Sequence, residues 1–269
     1  VEAELPKRDQ LPNDNYRANA TFKVFLKEVS EISRKGPQLF VSRANAGLVV
    51  YLFENEVPEI QEASVKIVAV SREANPPSRA VGPRTKVAVD STEKEVDPVG
   101  ACIGARGARI QQVVNELRGE KIDVIKWSPD PIQYILNSLS PAKVDLVRLV
   151  DPEGQHAHVL VPPDQLSLAI GREGQNVRLA ARLTGWKIDV KNSHEYDQES
   201  EDAIVAELIS QREEEENLQK EAEKRLEAEQ AARAEEDARL RELYPLPEDD
   251  EDFVDTIDED GVSNEERTR

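Results

Sequence analysis

Ile103-Gly104-Ala105-Arg106-Gly107 returns as Ile170-Gly171-Arg172-Glu173-Gly174, 67 residues further on (171 − 104). Each copy runs into a stretch with apolar residues at helical spacing and then into a strand-like ending. These endings are Lys121-Ile122-Asp123-Val124 in the first copy and Lys187-Ile188-Asp189-Val190 in the second. One gap residue brings them into line. A lone Gly-x-x-Gly carries little information, but two copies in the same context at domain-sized spacing read as a duplicated module. Glycine lets a backbone approach a ligand with no side chain in the way. A helix that begins just after such a loop presents free N–H groups and a positive dipole end, which suits a phosphate. Arg106 and Arg109 flank the first loop, Arg172 and Arg178 the second. Such cations attract a phosphate backbone in a salt-sensitive, sequence-independent way.

A Gly-x-x-Gly turn that opens a helix is the mark of KH domains, whose loop clamps single-stranded nucleic acid. The flanking patterns supply the rest of such a module. A helix is expected over Ala44–Val57, then strands at Val65–Val70 and Thr85–Val89, a short helix at Val96–Cys102, the loop, a helix to Leu117 and a strand at Ile122–Trp127. The second unit repeats the order: helix Ile132–Leu139, strands Val144–Val150 and His158–Val161 around an Asp151–Gly154 turn, a helix capped by Asp164, the loop, helix Asn176–Leu183 stopped by Gly185, and strand Lys187–Val190. Ile110, Val113, Val114 and Leu117, like Val177, Ala180, Ala181 and Leu183, fall at helical spacing and read as core. The short join marked by Pro129 and Pro131 predicts two modules packed in fixed orientation.

Residues 1–46 read as β-rich, with strands at Thr21–Leu26 and Gln38–Val41. Two short strands cannot make a core alone, so a segment before Val1 is expected to complete this unit. The sequence holds no methionine, even at position 1, which reads as a fragment or a processed form. Residues 47–128 form the first module and 129–195 the second. A charged helical extension follows at 196–247, then a disordered acidic tail at 248–269. Acid-first pairs four apart, such as Glu221–Arg225 and Glu229–Arg233, support a solvated helix, and its leucines keep no heptad.

Charge follows this division. Residues 1–196 hold 26 acids and 26 bases, and residues 197–269 hold 28 acids and 9 bases, so the tail carries the whole net charge of −19. Around the loops the sign turns positive, with five bases to three acids over 99–127 and five to two over 170–191. The tail is either a solubilising extension or a strip that competes with a phosphate ligand. Cys102, the single cysteine, excludes a disulfide framework and reads as a small buried hydrophobe. No leader-like or membrane-length apolar run is visible, and the chain reads as cytoplasmic. There is no phosphate loop of the Gly-x-x-x-x-Gly-Lys type and no Cys/His zinc spacing. His156 and His158 share a strand face but have no third ligand near in sequence, so no metal is assigned. Acid pairs such as Glu54 and Glu56 lack a pocket, and no catalytic residue or cofactor is assigned. Trp127 and Trp186 read as packing residues.

Longer phrases sharpen the reading. Asp97-Pro98-Val99-Gly100-Ala101-Cys102-Ile103-Gly104-Ala105-Arg106-Gly107 and Val113-Val114-Asn115-Glu116-Leu117-Arg118-Gly119-Glu120-Lys121-Ile122-Asp123 resemble the first KH domain of the bacterial NusA family. Leu168-Ala169-Ile170-Gly171-Arg172-Glu173-Gly174-Gln175-Asn176-Val177-Arg178-Leu179-Ala180 resembles its second. Val1–Arg43 resembles the end of that family's S1 domain. The likeness spans about residues 1–193. It implies an α+β chain: a partial β-barrel of S1/OB-like type, then two type II KH domains.

It also implies a non-enzymatic RNA-binding transcription factor that acts on pausing, termination and antitermination. The implied partners are nascent single-stranded RNA, RNA polymerase and other elongation or antitermination factors, for a monomer away from membranes. On that carry-over Gly104, Ala105, Arg106, Gly107 and Arg109 contact RNA, with Gly171, Arg172, Gly174, Gln175, Asn176 and Arg178. Three departures stand out. The family's N-terminal polymerase-binding domain is missing, the loop around Asn75–Gly82 is long, and the charged tail replaces a second pair of folded acidic repeats. Glu173 sits awkwardly near a phosphate and is expected to point away, leaving the first loop the more basic clamp. Two other classes fit the residues: the KH/S1 part of an RNA-processing enzyme, and a protein-interaction scaffold.

Overall fold

A computed structural model describes residues 2–30, 38–78 and 80–243. The expected acidic tail and the end of the charged extension lie outside these residues. The chain divides into two compact units, Val1–Glu207 and Leu208–Arg269.

The first unit opens with a three-stranded sheet. Strand β1 (Ala3–Glu4) lies parallel to β3 (Gln38–Ser42), and β2 (Phe25–Ser30) lies antiparallel on its other side. The sheet is open, and no barrel closes among the described residues. The strand expected over Thr21–Leu26 begins only at Phe25. Phe22 is used elsewhere: it packs on Tyr16 at 4.9 Å between ring centroids and lies 5.5 Å from the Arg43 guanidinium.

This sheet cannot bury itself, and it leans on the module that follows. Leu11 joins that module's core, and Phe25 packs against it. Arg43 is fully buried at the join. Its guanidinium donates to Asp14 Oδ2 at 2.8 Å, to the Lys23 carbonyl at 2.8 Å, and to the Glu116 carboxylate and carbonyl, both at 2.9 Å. A buried guanidinium is tolerated only when its donors are matched in this way.

The first module runs α1 (Ala46–Glu56), α2 (Pro58–Gln61), β4 (Val65–Glu73), β5 (Arg84–Ser91), α3 (Pro98–Ile103), α4 (Ala108–Glu116) and β6 (Lys121–Lys126). Strand β5 is central, antiparallel to β4 and parallel to β6. Asn45 caps α1 by accepting from the Gly47 N–H, and Asp97 caps α3 by accepting from Val99 and Gly100. Leu48, Leu52, Phe53, Val87, Val89, Cys102, Val113 and Leu117 make the core between helices and sheet. Burial pushes the Cys102 thiol up to about 11, as expected of a packing residue.

The second module repeats the order: α5 (Pro131–Ser138), β7 (Leu146–Asp151), β8 (His156–Val161), α6 (Pro163–Ile170), α7 (Gln175–Thr184) and β9 (Lys187–Asn192). Its sheet again has the antiparallel–parallel pattern around β8. Asp164 does not cap α6. Pro162 holds the cap position without a side-chain bond, and Asp164 lies inside the first turn, where its charge suits the dipole.

The modules are fixed to each other by a separate apolar cluster. Ala88 and Ile125 of the first sheet meet Tyr134 and Leu183 of the second module, with Ala69 and Trp127 at its edge. The Tyr134 hydroxyl donates to the Leu183 carbonyl at 3.0 Å. Lys86, buried beside it, donates to the Ser140 carbonyl at 3.0 Å and to Asp123 at 3.2 Å. Burial, opposed by Asp123, pushes the Lys86 ammonium down to about 8.

Helix α8 (Gln198–Leu243) follows. Its first turns belong to the first unit: Val205 is buried, Glu201 pairs with Lys191, and Asp202 pairs with Arg148. No described helix is long and apolar enough to cross a membrane.

Candidate nucleic-acid interface

Both loops adopt one backbone. In the first, Gly104 ends α3 at φ 74°, ψ 173°, Arg106 sits at φ 54°, ψ 26°, and Gly107 opens α4 at φ 78°, ψ 14°. In the second, Gly171 lies at φ 75°, ψ 169°, Glu173 at φ 52°, ψ 31°, and Gly174 at φ 72°, ψ 14°. Agreement at every position means that the repeated phrase specifies a repeated shape.

The first glycine of each loop is required twice over. Its φ is positive, and a Cβ there would meet the following helix. At Gly104 the clash is with Arg109 Cγ at 2.7 Å, and at Gly171 with the Asn176 backbone nitrogen at 2.8 Å. The result is a tight turn pressed against the first turn of α4 or α7. Ala105 and Arg106 stand exposed at the tip of one loop, Arg172 and Glu173 at the tip of the other. The residue in the left-handed conformation is Arg106 in one and Glu173 in the other. Glu173 is therefore at the exposed tip of its loop.

The remaining expected contact residues have structural partners. Arg109 donates to both Glu59 carboxylate oxygens, at 3.1 and 2.9 Å, and to the Ala101 carbonyl at 2.7 Å. Burial raises the Glu59 carboxyl, but its own backbone N–H and the Arg109 guanidinium outweigh this and hold it below the usual range. Asn176 is fully buried, and its amide donates to the Leu139 and Ala169 carbonyls at 3.1 and 3.0 Å. It locks α7 against α5 and α6. Gln175 is buried and donates to the Gly82 carbonyl at 3.0 Å.

Arg178 reaches across to the first module. It donates to Glu73 Oε1 at 2.6 Å and Oε2 at 3.1 Å, and Arg182 adds a contact to Glu73 at 3.2 Å. The Arg178 guanidinium holds the Glu73 carboxyl below its usual value against the opposing effect of burial. Arg172 donates to the Ala80 carbonyl at 3.1 Å while staying exposed. The second loop is thus braced by the segment between β4 and β5. Sequence reading missed Glu59 and Glu73, which lie 50 and 105 residues from their arginines. No local pattern links them.

Family models for the NusA-like first KH domain and the NusA-like second KH domain match residues 43–127 and 131–198. This chain belongs to the NusA family. The transcription termination/antitermination protein NusA of Halalkalibacterium halodurans is 51% identical over 195 residues, which is 72% of this chain and 49% of that protein. The NusA of Bacillus subtilis is 50% identical over 192 residues, covering 71% and 49% respectively. That of Thermus thermophilus is 51% identical over 187 residues, covering 70% and 46%. The chain spans about half the length of these NusA relatives. The two modules with their matching loops are its tandem NusA-type KH domains.

Proposed function

We propose that this chain is the RNA-binding part of a transcription termination/antitermination factor, and that its two KH loops hold nascent single-stranded RNA. The repeated left-handed turn at the start of α4 and α7 carries this reading. Each turn sets exposed backbone and a helix N-terminus side by side, the arrangement that binds a phosphate. Arg106 and Arg172 are the cations placed to meet the strand. Gly104, Gly107, Gly171 and Gly174 let it approach. Arg109, Gln175, Asn176 and Arg178 position the loops and do not touch the strand. The sheet of residues 2–42 is read as the end of an S1 domain that extends the surface.

The factor acts on RNA polymerase, with other elongation and antitermination factors as partners, as a cytoplasmic monomer without catalytic activity. A labelled single-stranded RNA titrated into the full chain across a salt series tests the core of this reading. Binding that weakens steeply with salt, and that is lost when both loop centres become Asp-Asp, supports it. Binding that ignores the loops moves the function to protein contacts.

A further inference from the structure

The outer face of the second KH sheet carries a cluster that RNA binding does not use. Strands β8 and β9 run parallel, with His158 opposite Asp189. Ala157, Val159 and Ile188 point into the core, so alternation puts His156, His158 and Asp189 together on the other face. The His156 Nε2 lies 2.7 Å from Asp189 Oδ2. The two imidazoles meet edge-on, with centroids 5.3 Å apart. One donor atom from each of the three side chains lies within 4.8 Å of the other two.

Both histidines are buried, at 8% and 3% exposure, whereas the Asp189 side chain is 43% exposed. The donors therefore sit on rigid backbone with an entry from solvent at one side. Two imidazoles and a carboxylate are a ligand set for divalent first-row transition ions. Donor atoms this close can be bridged by one ion with metal–nitrogen bonds of about 2.0–2.1 Å. Lys191 stands on the same face of β9, two residues beyond Asp189. The Lys191 charge is matched by Glu201. Tyr196 and Glu201 stand behind His158, at 3.5 and 3.9 Å from its Nδ1, where they can orient the ring.

We propose that His156, His158 and Asp189 form a binding site for one divalent transition-metal ion of the Zn2+ class, its remaining position taken by water. The sequence hid this site because Asp189 lies 33 residues from His156, and only the parallel register brings it alongside.

The test uses the full chain, whose acidic tail also attracts cations and must be told apart. Zn2+ is titrated while the histidine ring protons are followed by NMR. The rings of His156 and His158 should shift with one equivalent of metal, while exposed His194, the third of the chain's three histidines, stays in place. Co2+ should give a ligand-field spectrum that Zn2+ abolishes. His158→Asn and Asp189→Asn should each weaken binding by more than the roughly 10–100-fold that loss of an outer-shell partner costs, and His194→Asn should leave it unchanged. Rings that do not move at millimolar Zn2+, or binding that survives the His158 and Asp189 substitutions, would overturn the site. If a variant fails to fold, the ring titration of the unaltered chain decides.

Discussion

At the same left-handed position, the first KH loop places Arg106 and the second places Glu173. The arginines that follow also differ, since Arg109 is matched in the second loop by Asn176 and Arg178 lies two residues further on. Arg109 pairs with Glu59 inside its own module, while Arg178 crosses to Glu73 of the neighbouring module. The backbone was duplicated and kept, but the charges around it took different work. The first loop is self-contained and presents a free cation at its tip. The second commits Arg178 and Arg182 to the joint and presents Glu173 beside the exposed Arg172 at its tip. Loop shape and loop electrostatics are thus separable properties in this chain.

The largest expected effect is on the joint. Glu73→Ala removes the carboxylate that Arg178 and Arg182 share, and should cost roughly 2–3 kcal/mol in denaturant unfolding. Glu59→Ala removes a carboxylate that is 30% exposed, against 6% for Glu73, and should cost about 1 kcal/mol or less. Equal losses would erase the distinction between a joint and a local brace. Next comes RNA affinity. Replacing Ala105 and Arg106 by Asp should weaken binding by about tenfold or more, and replacing Arg172 and Glu173 by Asp by about threefold. The reverse order would show the second loop to be the stronger clamp.

Glu173→Arg should strengthen RNA binding by a few-fold and steepen the salt slope by about one counterion, making the second loop resemble the first. The smallest effect is on pH dependence. The Glu73 carboxyl is held below its ordinary 4.5, so its contribution is complete above that value and is lost as pH falls through the lowered folded value. The stability gap between the natural chain and Glu73→Gln should be flat above about pH 5 and should close in acid. A flat gap at all pH would remove Glu73 as the ionised centre of the joint.

Much of this was legible in the sequence for a local reason. The glycines, the helix periods and the strand endings act over a few residues, so the element order and both loops follow from them. Gly185 ends α7 in the left-handed conformation that its place after the apolar period implies. What escaped depends on distant partners. Arg109 and Arg178 look like free cations beside a loop, and only folding brings Glu59 and Glu73 to them. Asn176 looks like a surface polar residue one step into a helix, yet it is fully buried. Its neighbour Gly171 leaves no room for a Cβ, and that packing is the same reason Asn176 sits inside. Thr21–Leu26 alternates like a strand, but the Arg43 guanidinium beside Phe22 draws that end away from the ladder.

The cluster of Ala88, Ile125, Tyr134 and Leu183 has a consequence for any strand long enough to reach both loops. Because the modules are already docked, the cost of placing the second loop relative to the first was met when the chain folded. On the proposed function, a strand held at one loop would meet the other at a high effective concentration, and two weak grips would add up to one firm one. The spacing of the loops acts as a gauge on the strand's length: a segment too short to span them gains nothing from the second grip.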